Sequence, residues 1–284
     1  MKRGPGGAVS TVTGPHEWRG RREIWLLVGY GLLNLVLLLL LRPAPNADWV
    51  TAWWPLASWG SQIYDHPWRY SPLLVPVVGL MVAGGPWVLG AAHLMAVSVL
   101  ARLGDWTVWL VAFSAFFWVD LVVGNIFTLV AVAAAFAVAG SRAGSVLYLA
   151  LTLLMPRPVQ IPLAIWLVWR RPELRTPFAL IFVVQAVGVV ASGLAGQWLG
   201  SLFGSASLTF ETFSLGPGRI FGLWWVVIGI PAAALMIWRG SAAVAALAGL
   251  VASPFLLPQY LLMGVIAIPR LVASARRHPY FTKT

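Results

Sequence analysis

Long apolar runs, interrupted by proline, glycine and clusters of arginine, set the pattern of this chain. A helix that crosses the hydrocarbon core of a bilayer needs about 20 mostly apolar residues, and the interruptions cut the sequence into segments near or below that length. The first runs from about residue 24 to 41. A polar stretch from Arg42 to Arg69 follows, holding Asp48, Asp65, His66 and several tryptophans. Apolar sequence resumes at Tyr70 and continues, broken at Gly84-Gly85-Pro86, to about Leu100. Later segments cover roughly 106–121, 124–139, 145–155, 158–169, 177–195, 219–237, 241–257 and 259–273. The pattern predicts an all-α, polytopic transmembrane bundle of about ten spans, with a short helix lying on the membrane in the first loop. The pieces flanking Met155-Pro156-Arg157-Pro158 are too short to span alone. They are either half-length helices meeting at a cavity, as in transporters, or one helix kinked by proline. No internal repeat is evident.

Composition makes lipid the solvent. Hydrophobic residues are 60% of the chain and charged ones 10%, against roughly 25% charged in a soluble domain, and the mean hydropathy is +0.85. The 17 tryptophans suit bilayer interfaces. The formal charge of +11 comes from short basic clusters between apolar runs, the pattern of cytoplasmic loops rather than of a nucleic-acid surface. With no cysteine, disulfides, thiolate catalysis and sulfur-ligated metals are excluded. The run from Ile24 to Leu41 is too long for a typical signal-peptide core and leads into Arg42-Pro43 without a small-x-small cleavage site, so it reads as a retained helix.

The basic clusters orient the chain in the cell (cytoplasmic) membrane. The N-terminus, Arg102, Arg142, Arg170–Arg175, Arg239 and Arg276–Arg277 fall on the cytoplasmic side. The outer side receives the 42–69 loop, Gly124-Asn125, Met155–Pro158, the 196–218 loop and Pro254–Tyr260. This arrangement requires residues 70–101 to cross an odd number of times, so two full helices turning at Gly84-Gly85-Pro86 would violate it. Residues 1–23 and 274–284 are then basic cytoplasmic tails around a transmembrane domain of residues 24–273.

Acids are scarce, only eight in the chain. On this topology Asp48, Asp65, Asp120 and Glu211 fall towards the outer side, and Glu17, Glu23, Asp105 and Glu173 towards the inner. Asp48, just beyond the first helix, is either a solvated loop aspartate or a catalytic base. Asp120 lies in an apolar helix, where an acid costs about 2.5–3.5 kcal/mol on insertion scales. It should face the interior or the outer cavity, as a second acid, a ligand to substrate or a helix-end cap. Arg69, Arg157 and Arg219 are the outward cations available to grip a phosphate two-pronged; each has the alternative role of an interfacial anchor. His66 beside Asp65 does not define a metal site, His93 reads as a satisfied histidine among helices, and Asp105 as a helix-edge residue.

Several short motifs, in order, resemble the polytopic glycosyltransferases of the GT-C superfamily, most closely glycosyltransferase family 87, the polyprenyl-phosphate-mannose-dependent mannosyltransferases. They begin with Asp48 past helix one, Trp53-Trp54, Gly60 before Tyr64, and Tyr70-Ser71-Pro72-Leu73. Gly124-Asn125 before Phe127-Thr128-Leu129 is similar to the family's Gly-Gln-x-Asn segment, and Pro156-Arg157-Pro158 to its Lys-Pro-x-Pro helix pair. Phe213-Ser214-Leu215 with Arg219 is similar to its Asn-Gln-Ser-Leu loop, and Ser253-Pro254 with Gln259-Tyr260 to its Ser-Pro-x-x-x-x-His-Tyr segment. Met155, Asn125 and Gln259 replace the family's Lys, Gln and His, and the chain is shorter than typical members.

The resemblance implies a GT-C-like bundle that transfers a sugar, mannose by the family's habit, from a polyprenyl-phosphate donor to an acceptor hydroxyl on a glycolipid or glycan at the outer membrane face. Asp48 is then the base. Arg69, Tyr70, Asp120, Asn125, Arg157, Arg219, Gln259 and Tyr260 are the candidate substrate-binding residues, and no metal ligands are assigned. Two other readings compete: a catalytically silent GT-C-like scaffold or lipid-binding protein, and a transporter or lipid flippase. A transporter should concentrate polar residues at mid-membrane, whereas an enzyme should concentrate them at one face.

Overall fold

The computed structural model describes residues 21–54, 60–65, 70–208, 220–222, 224–254 and 256–276, and every regular element among them is helical. Among the described residues, four stretches are long and apolar enough to cross a membrane: Ile24–Leu41, Pro86–Leu103, Pro172–Ala191 and Pro258–Ala275. Shorter apolar helices pack among them. Helix α1 (Arg21–Leu41) leaves Leu26, Leu33, Leu39 and Leu40 more than half exposed, and α9 (Arg175–Ala191) does the same with Leu180, Val184, Val187 and Val190. Contiguous apolar faces of this extent mark a surface made for lipid or a partner.

Between α1 and α9 the chain forms α2 (Val75–Ala83), α3 (Pro86–Val99), α4 (Thr107–Ala112), α5 (Ala115–Val123), α6 (Phe127–Val138), α7 (Arg142–Leu154) and α8 (Ile161–Arg170). After α9 come α10 (Ala195–Leu208), α11 (Ile230–Arg239), α12 (Ala242–Ala252) and α13 (Leu262–Arg276). Helix α6 is the centre of the bundle, buried over most of its circumference and packed by α3, α7 and α13. Its alanine-rich sequence, Ala131, Ala133, Ala134, Ala135 and Ala137, lets these neighbours approach closely. Helix α12 repeats the device with Ala242, Ala243, Ala245, Ala246, Ala248 and Gly249, and α8, α11 and α13 pack around it.

Gly249 shows how tight that packing is. A Cβ at this position would lie 2.0 Å from the backbone carbonyl oxygen of Val159, and backbone cannot rotate aside as a side chain can. Gly249→Ala is expected to destabilise the bundle by about 1–3 kcal/mol, read as a lowered melting temperature in detergent.

The stretch that reads as one apolar segment over 106–121 is broken. The α-helical ladder fails between Phe113 and Ala115, and side chains satisfy the freed backbone groups. Tyr30 of α1 donates its hydroxyl to the Leu110 carbonyl at 2.9 Å, and one turn on, Asn34 Oδ1 accepts the Ala115 N–H at 2.8 Å. The Trp118 indole donates to the Ala112 carbonyl at 3.0 Å, and Ser114 Oγ accepts the Phe116 N–H at 3.2 Å. In an apolar surrounding such repairs are obligatory, and Tyr30 and Asn34, one turn apart on a leucine-rich helix, supply two of them.

Residues 70–105 make one net passage along the bundle. Tyr70 lies beside Tyr260, just before α13, while Asp105 pairs with Arg270 at 2.9 Å, well along the same helix. Helix α2 has nine residues, about 13 Å of rise, and is too short to cross and return. It turns at Gly84-Gly85, where Gly85 has φ 76°, and α3 makes the crossing.

Candidate functional site

At the end of the bundle reached by Tyr70, residues from five separate stretches of chain meet. Beyond α1 the backbone reverses through two left-handed residues that are not glycine, Arg42 (φ 42°) and Asn46 (φ 53°). The Asn46 N–H is pinned to the Val122 carbonyl at 2.6 Å, which fixes the loop on the end of α5. Asp48 follows at the head of one wide helical turn, Trp49–Trp53. The turn sits against Gly124, whose φ is 78° and whose missing side chain leaves room for it; a Cβ there would meet that of Trp49 at 3.4 Å.

Asn125 links the parts. Its Oδ1 caps the start of α6, accepting the N–H groups of Ile126 (2.7 Å) and Phe127 (3.1 Å), while its Nδ2 donates to Asp48 Oδ2 at 2.5 Å. Arg157 enters from the break between α7 and α8. Its Nη1 donates to the Tyr260 hydroxyl at 2.5 Å, and its Nη2 donates to the Tyr70 hydroxyl and, at 3.4 Å, to Asn125 Oδ1. The guanidinium also lies 5.1, 5.8 and 5.2 Å from the ring centroids of Tyr70, Phe127 and Tyr260, a box of favourable cation–π contacts. Trp53 stacks on Tyr70 with centroids 5.6 Å apart, so the short turn that carries Asp48 also braces the arginine box. The backbone is stitched here as well, by the Ser71 N–H to the Leu154 carbonyl at 2.8 Å.

The result is a carboxylate and a guanidinium held by one amide. Asp48 and Arg157 are half-buried, whereas Asn125 and Tyr260 are buried. Burial pushes the Asp48 carboxyl above the ordinary carboxylate range; the Asn125 hydrogen bond and the Arg157 charge pull it back part of the way, and Asp120 adds to the rise. Burial also raises the Tyr70 hydroxyl above its usual value, despite the opposing charge of Arg157. Arg157→Lys removes the planar fork that serves two phenols and an amide. It is expected to cost about 1–3 kcal/mol, measured by thermal unfolding against wild type.

Asp120 lies beneath this group rather than in it. Its side chain is fully buried, and Oδ2 accepts from the Thr128 N–H (2.6 Å) and the Thr128 hydroxyl (2.7 Å) and pairs with His93 Nε2 at 3.2 Å. The other His93 ring nitrogen meets the Leu89 carbonyl at 2.8 Å. A carboxylate so enclosed does not line the Asp48 group as a ligand to sugar. It ties the end of α5 to Thr128 in the first turn of α6, and between them the Asn125 N–H closes the turn on the Asp120 main-chain carbonyl at 2.9 Å. Gln259, also buried, precedes Tyr260 in the turn that enters α13. Arg69, Arg219, His66 and Glu211 lie outside the described residues.

Sequence reasoning named Asp48, Tyr70, Asn125, Arg157 and Tyr260 and left their partnership undefined. The cap made by Asn125, the Trp53 stack and the His93–Asp120 pair were not anticipated. The available signal for the pair was an acid and a histidine in two separate apolar helices, each costly to bury alone. No family model, curated protein or solved structure matches this chain.

Proposed function

We propose that this chain is a membrane-embedded, GT-C-like glycosyltransferase of about ten spans that moves a sugar, mannose by resemblance, from a polyprenyl-phosphate donor to an acceptor hydroxyl at the outer face of the cytoplasmic membrane. The observation that carries the reading is the meeting of Asp48, Asn125, Arg157, Tyr70 and Tyr260 at one end of the bundle. Charged and polar residues gathered at one face fit an enzyme better than a transporter.

In this reading Asp48 accepts the proton of the acceptor hydroxyl as its oxygen attacks the anomeric carbon. The bond from that carbon to the phosphate oxygen breaks, and its electron pair leaves on the lipid phosphate. Arg157 supplies the positive charge that this oxygen needs, in water-poor surroundings where such a contact is strong. Its bonds to Tyr70 and Tyr260 hold the guanidinium still, and the same bonds polarise the two phenols as donors. A raised Asp48 carboxyl is a stronger base than an exposed one, and at neutral pH it need only remain ionised.

The test is transfer of labelled sugar in membrane vesicles carrying the wild-type chain, offered polyprenyl-phosphate mannose and then the corresponding glucose, galactose and arabinose donors. Labelled glycolipid or glycan with one donor, absent from vesicles lacking the chain, is the expected result. No product with any of the four, from protein shown to be folded, overturns the proposal in favour of a silent scaffold.

A further inference from the structure

A second feature lies away from Asp48, on the flank of the bundle. Helix α8 presents Ile161, Ala164, Ile165, Val168 and Trp169 along one stripe, about 12 Å long at 1.5 Å per residue. With Leu149, Thr152 and Leu153 of α7 and Phe178 of α9, this stripe lines a groove of about 470 Å³. Its lining is apolar in effect, since the Thr152 hydroxyl is spent on the Tyr148 carbonyl of its own helix at 2.8 Å. Ile161, Ile165 and Trp169 stay 46%, 51% and 44% exposed, so no other part of the described chain covers the groove.

One end of the groove closes on a cation. Arg175 lines it, and the guanidinium is oriented by two backbone acceptors, Nε to the Val168 carbonyl (3.3 Å) and Nη2 to the Trp169 carbonyl (3.2 Å). Its Nη1 has no partner among the described residues. Nearby, Arg170 lies over the Trp169 ring at 4.4 Å, and Arg171 is answered by Glu173 at 2.8 Å. Among the described residues Arg142, Arg170, Arg171 and Arg175 thus outnumber the acid Glu173 at this end. A groove wide enough for a hydrocarbon chain, open along one side and ending on a surplus of positive charge, complements a lipid whose headgroup is an anion.

We propose that this groove binds one anionic phospholipid, with an acyl chain between α7, α8 and α9 and the headgroup phosphate on Arg175. Phosphate oxygens accept from Nη1 and from the outward edge of the fork, while Trp169 sits at the level of the headgroup, where tryptophan is favoured. The bound lipid ties α9, a helix with a broad exposed apolar face, to α7 and α8. This site is independent of the sugar-transfer reading, because Arg175 and Arg157 lie at opposite ends of α8.

The test uses the purified full chain in neutral detergent, with melting temperature and native mass spectrometry as readouts. The probes are phosphatidylglycerol, phosphatidylcholine with the same chains, glycerol 3-phosphate and a polyprenyl phosphate. Phosphatidylglycerol should be retained and should raise the melting temperature, phosphatidylcholine should do so less, and glycerol 3-phosphate should do nothing. Arg175→Gln, an exposed position, should weaken phosphatidylglycerol about five- to tenfold and erase its advantage over phosphatidylcholine. Ile165→Trp, which fills the groove from its open side, should weaken both lipids; Ile161→Trp makes the same test if the first variant melts early without lipid. Equal binding of the two phospholipids to wild type, or an Arg175→Gln protein that keeps the preference, overturns the proposal. So does glycerol 3-phosphate matching the whole lipid. A polyprenyl phosphate that displaces phosphatidylglycerol, with Arg175→Gln indifferent to it, would assign the groove to that lipid's tail instead.

Discussion

Asp48→Asn is expected to lower sugar transfer by about 10²–10⁴-fold, the range for losing a positioned base, while leaving the protein at least as heat-stable as wild type. The two halves of that result have one cause. Burial raises the folded-state pKa of Asp48 above its unfolded value. The linked stability is therefore fully present below the unfolded pKa, where the carboxyl is protonated in both states, and is lost as pH rises through the folded pKa. At neutral pH the ionised carboxylate is a burden on the fold, and asparagine removes the charge while keeping an oxygen for the Asn125 amide. The same shift sets the pH–rate profile. Transfer falls as Asp48 takes up a proton, so the acid limb lies above the value of about 4 for an unperturbed aspartate, and it is absent from the residual activity of Asp48→Asn. An Asp48→Asn protein with undiminished transfer would remove Asp48 from the chemistry; one that melts well below wild type would mark it as structural.

Asp120→Ala is expected to have the largest effect on stability, about 3–5 kcal/mol, as when a buried carboxyl that answers several donors is removed. Asp120 Oδ2 answers three donors or potential donors, the Thr128 N–H, the Thr128 hydroxyl and the His93 ring. Alanine leaves them in an apolar core without water to replace the carboxylate. Asp120→Asn keeps one oxygen and should cost less. In a double-mutant cycle, His93→Leu should recover part of the loss of Asp120→Ala, because an apolar residue lacks the unanswered ring nitrogen. Unfolding in denaturant measures all four proteins. Strictly additive losses would show that the 3.2 Å contact between the His93 ring and the Asp120 carboxyl carries no energy. Transfer should fall too, since the Asp120 carboxyl fixes Thr128 in the first turn of α6, beside the Asn125 that holds Asp48.

Much of the architecture was legible because each signal was local. Apolar run lengths mark the helices, Gly124 marks the end of α5, and the two prolines flanking Arg157 mark the break between α7 and α8, whereas the break at Ser114 lies inside what reads as one apolar segment. The site residues were legible as a set because polar side chains are so few that each surviving one at a helix end demands a partner. What was not legible is which partner. Asn125 answers the Phe127 N–H one way and Asp48 the other, a choice made by the left-handed turn at Gly124 and the approach of Trp49. Tyr70 and Tyr260 are 190 positions apart in the numbering, yet both reach Arg157, which no pattern in either neighbourhood announces. Asp120 was legible as a costly buried acid; that it faces His93 and Thr128 rather than an open cavity depends on the rotation of α3 against α6.

The proposed chemistry rests on a lipid phosphate meeting Arg157 while a sugar faces Asp48. The most direct measurement is an experimental structure of the wild-type chain with a non-reacting phosphonate analogue of polyprenyl-phosphate mannose. The expected result places a phosphonate oxygen within about 3 Å of the Arg157 guanidinium or of the Tyr70 or Tyr260 hydroxyl, with the sugar on the Asp48 side of Asn125. An analogue bound with its phosphonate away from Arg157, or a folded protein that does not bind it while Asp48, Asn125 and Arg157 keep their mutual hydrogen bonds, would contradict the account.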